Sequence, residues 1–200
     1  MATLTDDFTT QDTAKWTFGS GASVTDGQLV MQCLSSYSSE ANSIDFYDLT
    51  GSYFLLEVVS PQSAGTGTTV TYMICQNSTY TDKVGWEIGG SELRAQYKVA
   101  NTNTTVWFDG FALADHRWLR TREDSGTVYW DTSPDAVTWT NRATWAPTIS
   151  IASLRVTLGS GYYGTESSPA SAVIDNFNLV PVPVEPDPPM HLRRVAPARR

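Results

Sequence analysis

Between His116 and Thr140 the chain reads HRWLRTREDSGTVYWDTSPDAVTWT, and it alternates at period two through most of that length. Trp118, Arg120 and Arg122 fall on one side of an extended segment, with Leu119, Thr121 and Glu123 on the other. Asp124-Ser125-Gly126 supplies turn residues, after which Val128 and Trp130 alternate with Tyr129 and Asp131. Ser133-Pro134-Asp135 makes a second turn, and Trp139 is placed in a third strand. Alternation bounded by such turns is the signature of antiparallel hairpins. Three tryptophans in one meander supply a large apolar surface to bury. The stretch commits the chain to an antiparallel β scaffold.

The remaining sequence agrees. Only 17% of residues are charged while 40% are hydrophobic and 12% aromatic. Branched and aromatic side chains suit a pleated surface, and long charged helix formers are scarce. Asp26-Gly27 reads as a tight hairpin turn, and Tyr53–Val59 as a central strand. Residues 84–99 form another hairpin about Gly89-Gly90, with Val84, Trp86, Ile88, Leu93 and Ala95 inward and Arg94, Gln96 and Lys98 on a polar face. Val106-Trp107-Phe108 is a short strand. A strand from Leu154 stops at Gly159, a long loop spans Gly159–Ser171, and Val173–Leu179 closes the series. About twelve short strands with no helix predict an all-β, two-sheet antiparallel jelly-roll sandwich over residues 1–180.

Residues 181–200 differ in kind. They hold six of the ten prolines and read as an extended arm. Pro181, Pro183 and Pro186 set its geometry, and Arg193, Arg194, Arg199 and Arg200 are placed to meet acidic patches of a partner. The body carries net charge −10 against +2 for the arm. An acidic body argues against nucleic acid as a partner. No apolar run approaches the length of a membrane span. The start MATLTDDF has neither the basic nor the apolar region of a secretory signal, so the expectation is synthesis in a host cytoplasm. Cys33 and Cys75 read as buried free thiols, and no C-x-x-C pair suggests zinc.

The series Trp118-Leu119-Arg120-x-Arg122, Gly126, Trp130, Ser133-x-Asp135, Trp139 resembles the concanavalin A-like (lectin/glucanase, LamG-like) sandwich modules appended to glycoside hydrolases. Phe8, Asp26-Gly27-x-Leu29 and Ile174-Asp175-Asn176-Phe177 fit the same frame, and the likeness covers residues 5–180. One departure is Asp135-Ala136, where the family has Asp-Gly. The opening Asp6-x-Phe8…Trp16, with Thr-rich strands, also resembles modules in minor tail and other virion proteins of actinobacterial phages.

These resemblances imply a non-catalytic virion component, either a minor tail protein or a capsid decoration. The arm would hold it among other virion proteins, as a homo-oligomer within the assembly, and the sandwich would face host-surface glycans. The alternative is a carbohydrate-binding accessory module of a polysaccharide-degrading system. Sugar rings stack on exposed aromatics beside polar loops, which makes Tyr80, Trp107, Tyr162 and Tyr163 the candidates. No cofactor is required. The resemblance implies a structural Ca²⁺ held by acids of the first and last strands, here Asp6, Asp7 and Asp175. Glucanases of this fold carry E-x-D-x-x-E, and Glu87…Glu92 matches that spacing, but Gly89 replaces the aspartate. Gly89-Gly90 reads as a turn that would put Glu92 on the next strand. With only His116 and His191, a nucleophile triad is also unsupported. The expectation is therefore not an enzyme.

Overall fold

The computed structural model describes residues 4–35, 39–62, 69–163 and 170–180. The predicted arm, with Pro181, Pro183, Pro186, Arg193, Arg194, Arg199 and Arg200, lies outside the described residues. In chain order the strands are β1 (Trp16–Phe18), β2 (Ala22–Thr25), β3 (Gln28–Met31), β4 (Leu34–Ser35), β5 (Ser39–Ser43), β6 (Tyr53–Ser60), β7 (Thr69–Gln76) and β8 (Lys83–Gly89). There follow β9 (Glu92–Val99), β10 (Thr102–Gly110), one helical turn α1 (Leu113–His116), β11 (Trp118–Asp124), β12 (Thr127–Ser133), β13 (Thr140–Trp145), β14 (Arg155–Tyr162) and β15 (Ala172–Asp175).

They form two sheets. One runs β1-β5-β14-β7-β8-β9-β10, with β4 paired to β14, and the other runs β13-β12-β11-β6-β15-β3-β2. The predicted jelly-roll sandwich is therefore the observed architecture. Tyr53–Ser60 is central as expected, lying between β11 and β15. Its Phe54, Leu56 and Val58 join the core. Asp26 and Gly27 both take positive φ, at 51° and 75°, as a tight two-residue hairpin requires.

Several boundaries differ from expectation. There are more strands than anticipated, and α1 interrupts an otherwise all-β chain. The predicted short strand at Val106 extends over nine residues of β10, kinked by a bulge between Thr105 and Trp107. That bulge hid the period from a reading by alternation. β14 does not stop at Gly159 but continues to Tyr162, because Gly159 and Gly161 still pair with Tyr72 and Val70 of β7. Trp139 lies just before β13 instead of within it.

Trp16, Trp86 and Trp130 are fully buried between the sheets. Two of them also tie the sheets together. The Trp130 indole of β12 donates to the Gly85 carbonyl of β8 at 2.9 Å, and the Trp86 indole of β8 donates to the Arg120 carbonyl of β11 at 3.2 Å. A buried indole N–H without a partner would be costly, so each bond satisfies a donor while fixing how the sheets sit. At one side Tyr97 of β9 stacks on Trp145 of β13, ring centroids 4.0 Å apart. Cys33 and Cys75 are both buried; the Cys33 thiol donates to the Gly161 carbonyl at 3.1 Å, and burial pushes the Cys75 thiol up from its ordinary value.

On the outer face of the seven-stranded sheet, the β12–β13 connection folds back over the strands. Trp118, Leu55 and Ala136 form a small apolar cluster with Trp139 packed against it. Ala136 adopts φ +60°, a left-handed conformation that glycine takes most readily. Arg120 and Arg122 both donate to Oδ2 of the buried Asp131, at 2.8–3.0 Å. Their guanidinium groups stack on Trp139 and Tyr129, 4.1 and 3.9 Å from the ring centroids. The two arginines thus bridge a neighbouring acid.

Candidate functional site

The outer face of the eight-stranded sheet is polar, and strand register lays its side chains in rows. One row runs Glu40, Gly159, Tyr72, Glu87, Arg94 across β5, β14, β7, β8 and β9. The next runs Asn42, Thr157, Ile74, Gly85, Gln96. A third runs Arg155, Gln76, Lys83, Lys98, Asn103 and reaches β10. Neighbouring strands lie about 4.8 Å apart, so each row spans the width of several sugar rings. The period-two alternation that buries Val84, Trp86 and Ile88 is what turns Lys83 and Glu87 outward.

A hollow of about 260 Å³ opens on this face, lined by Val70, Tyr72, Ile74, Gln76, Lys83, Glu87, Lys98, Asn103 and Tyr163. Tyr72 lies against Gly159, where a Cβ would come within 2.4 Å of its ring and would push the ring aside. Its hydroxyl donates to the Glu40 carboxylate. Glu87 accepts from Arg94 at 3.2 Å and from Gln96 at 2.8 Å. Gln76 donates to Thr157, which donates to Asn42. Burial pushes the Lys83 ammonium down; Glu87 opposes this shift and the facing Lys98 adds to it. The floor is a hydrogen-bonded array of carboxylates, amides and hydroxyls with an aromatic ring in it, which is the chemistry that recognises a polyol.

Of the four aromatic candidates, Tyr163 lines this hollow and is 67% exposed. Tyr162 belongs to β14 and is half-buried. Tyr80 is exposed at the β7–β8 turn, on the side of the sheet where Gln76 and Lys83 end their strands. Trp107 is half-buried, its ring edge-to-face with Trp86 and His116 and the Arg142 guanidinium 5.3 Å over it, so it is partly taken up by packing. Tyr72, Gln76, Lys83 and Lys98 were not singled out from sequence. The signal for the lysines was the polar face of the residue 84–99 hairpin.

The acids proposed for calcium do not form one ligand set. Asp6 is buried, and its two oxygens accept from the Trp16 indole and the Phe8 amide, both at 2.8 Å. Asp7 accepts from the backbone and hydroxyl of Thr9. Asp175 is pushed up by burial; the Asn176 amide opposes the shift, and Glu57 and Asp7 add to it. Among the described residues no group of three His, Cys, Asp or Glu side chains is arranged to hold a metal ion. The acids at the glucanase spacing are separated as expected. Glu92 lies on β9 opposite Gly89, Gly90 takes φ +62°, and Arg94 binds both Glu87 and Glu92.

No family model and no curated protein matches the sequence. Solved structures do match the fold. A β-glucanase from Bacillus licheniformis superposes with a TM-score of 0.68 at 12% identity, over 87% of this chain and 95% of that one. LamAcat from Zobellia galactanivorans gives 0.66 at 12% identity, over 88% and 95%. A β-agarase A in complex with oligoagarose gives 0.62 at 9% identity, over 87% and 89%. The fold is that of the glucanase jelly rolls. The concanavalin A-like architecture expected from the tryptophan meander is thereby established. The expectation that the chain is not an enzyme is corrected, because the solved proteins sharing its fold include glucanases and an agarase. The virion expectation rests largely on the arm, outside the described residues.

Proposed function

We propose that this sandwich binds a polysaccharide chain along the outer face of its eight-stranded sheet and works in polysaccharide degradation. The observation that carries the reading is the hollow itself: the exposed Tyr163 stands beside Glu87, Gln76 and Asn103, whose polar groups suit sugar hydroxyls, over a floor formed by the buried Tyr72. Likeness of fold to a β-glucanase and an agarase supports the same class of ligand. The meander of the seven-stranded sheet serves as scaffold, since Arg120 and Arg122 are already committed to Asp131.

The test is calorimetric titration with a panel of soluble β-glucans and galactans, run beside an assay for released reducing ends, so that binding and cleavage are both read. At least one polysaccharide should bind. Tyr163→Ala removes an exposed ring without touching the core, and should weaken that binding about fivefold by loss of stacked apolar area. Absence of binding and of cleavage across the panel overturns the proposal, as does full affinity in the Tyr163→Ala variant.

A further inference from the structure

The third row of the groove face has an unusual charge pattern. The chain has three lysines, at positions 15, 83 and 98, and two of them oppose each other directly across β8 and β9. Like charges placed opposite in a sheet repel, so this pairing weakens the fold slightly. Glu87 on the same face offsets it only in part. The ion pairs among the described residues engage Lys15, Arg94, Arg117, Arg120 and Arg122, but neither Lys83 nor Lys98. Both lysines are half-buried in the wall of the hollow. Arg155 continues the row two strands away; it too has no ion pair, and its buried Nε has no hydrogen-bond partner. The body is otherwise strongly acidic, and outside this row Arg142 is the one described cation without an ion pair. A local rule broken with only partial compensation inside the fold points to a compensating group from outside it.

We propose that the row Lys83–Lys98 receives an anionic substituent of the bound polysaccharide, a sulfate ester or a uronic carboxylate, so that the groove is selective for an acidic glycan. The proposal rests on the carbohydrate reading of the same face. Geometry divides the labour. Glu87 in the first row and the exposed Tyr163 engage the hydroxyls and the sugar ring, and the ammonium groups in the third row bracket the anion, with Gln76 and Asn103 beside them. The two rows lie four residues apart along each strand, about 13 Å, a distance spanned by two to three sugar units. The downward push on Lys83 from burial and from Lys98 is eased when an anion binds beside it.

The experiment compares a sulfated galactan, the same galactan after chemical desulfation, and a polyuronate, each titrated into wild type and into the Lys83→Gln/Lys98→Gln double variant at low and moderate salt. In wild type the anionic glycan should bind at least about tenfold tighter than its desulfated form, as charge-assisted hydrogen bonds imply. That preference should shrink with salt and collapse in the double variant. The variant should fold, and melt no lower than wild type, because it removes a repulsion. Binding of the sulfated arm alone assigns a sulfate ester, and binding of the uronate arm alone assigns a carboxylate. Equal affinity for native and desulfated galactan, or an unchanged preference in the double variant, overturns this inference and leaves the carbohydrate reading standing. Binding of none of the three arms, together with a negative neutral panel, overturns both.

Discussion

Asp131 is the point at which the meander can be broken with one substitution. Its carboxylate is almost fully buried and accepts three N–H groups from Arg120 and Arg122 on one oxygen, and the Asn141 amide at 3.0 Å on the other. Asp131→Ala leaves two guanidinium groups side by side with no counter-charge. Removing one partner of a buried ion pair costs about 3–5 kcal/mol. The arginine side chains retain 22% and 29% exposure, and both stack on aromatic rings, so water reaches part of each charge and the lower end, about 3 kcal/mol, applies. For a domain of this size that corresponds to a fall in Tm of roughly 6–12 °C. Urea unfolding followed by tryptophan fluorescence measures it directly. Asp131→Asn keeps the shape and one acceptor and should cost about half as much. Replacing all three residues by leucine should recover part of the loss, since no unpaired charge then remains. A loss below about 1 kcal/mol in Asp131→Ala would refute the view that this cluster holds the outer face together.

Three further outcomes are expected. Gly85→Ala would place a Cβ 2.2 Å from the Met73 carbonyl oxygen, a backbone atom that cannot swing away, and should destabilise by about 2–3 kcal/mol in the same assay. Gly159→Ala meets only the Tyr72 ring, which can tilt; the stability loss should be near 1 kcal/mol, but polysaccharide affinity should fall because the Tyr72 hydroxyl leaves Glu40. His116 is buried, and its imidazole is pushed down from 6.5 by burial and by Arg142, against weaker pulls from Asp115 and Asp109. The neutral form is therefore favoured in the fold. Its contribution is complete above about pH 6.5 and is lost as pH falls from there toward the lowered value. Wild-type Tm should drop between pH 7 and pH 5.5, and His116→Gln should flatten that part of the profile.

The fold was legible because its strongest elements are also its most periodic. Trp118 to Glu123 and Val128 to Asp131 alternate on either side of a marked turn, and Asp26-Gly27 announces its own, so two sheets could be read from side chains alone. β10 was truncated because its bulge at Thr105 shifts the phase of burial, and β14 because glycine reads as punctuation when it is instead making room for Tyr72. The groove was harder to see. Exposed aromatics in loops attract attention, yet the ring at its centre, Tyr72, is flanked by strand residues and looks like core. Trp107 looked fully available because the partners that pack against it, Trp86, His116 and Arg142, are distant in sequence. Lys83 and Lys98 are fifteen residues apart, and only the β8–β9 register brings them face to face.

The tryptophan bonds between the sheets carry a consequence for the groove on the far side. Trp86 and Glu87 are adjacent, one pointing inward to the Arg120 carbonyl and the other outward to Arg94 and Gln96. A one-residue slip of β8 would exchange them, burying a carboxylate and laying an indole in the groove. The Trp86 and Trp130 bonds both end on β8 or begin there, so they pin that strand at two consecutive residues. The meander on one surface thereby acts as a phase lock for the charges displayed on the other. Substitutions in β11 or β12 that loosen either indole should be read out as altered ligand selectivity before they are read out as unfolding.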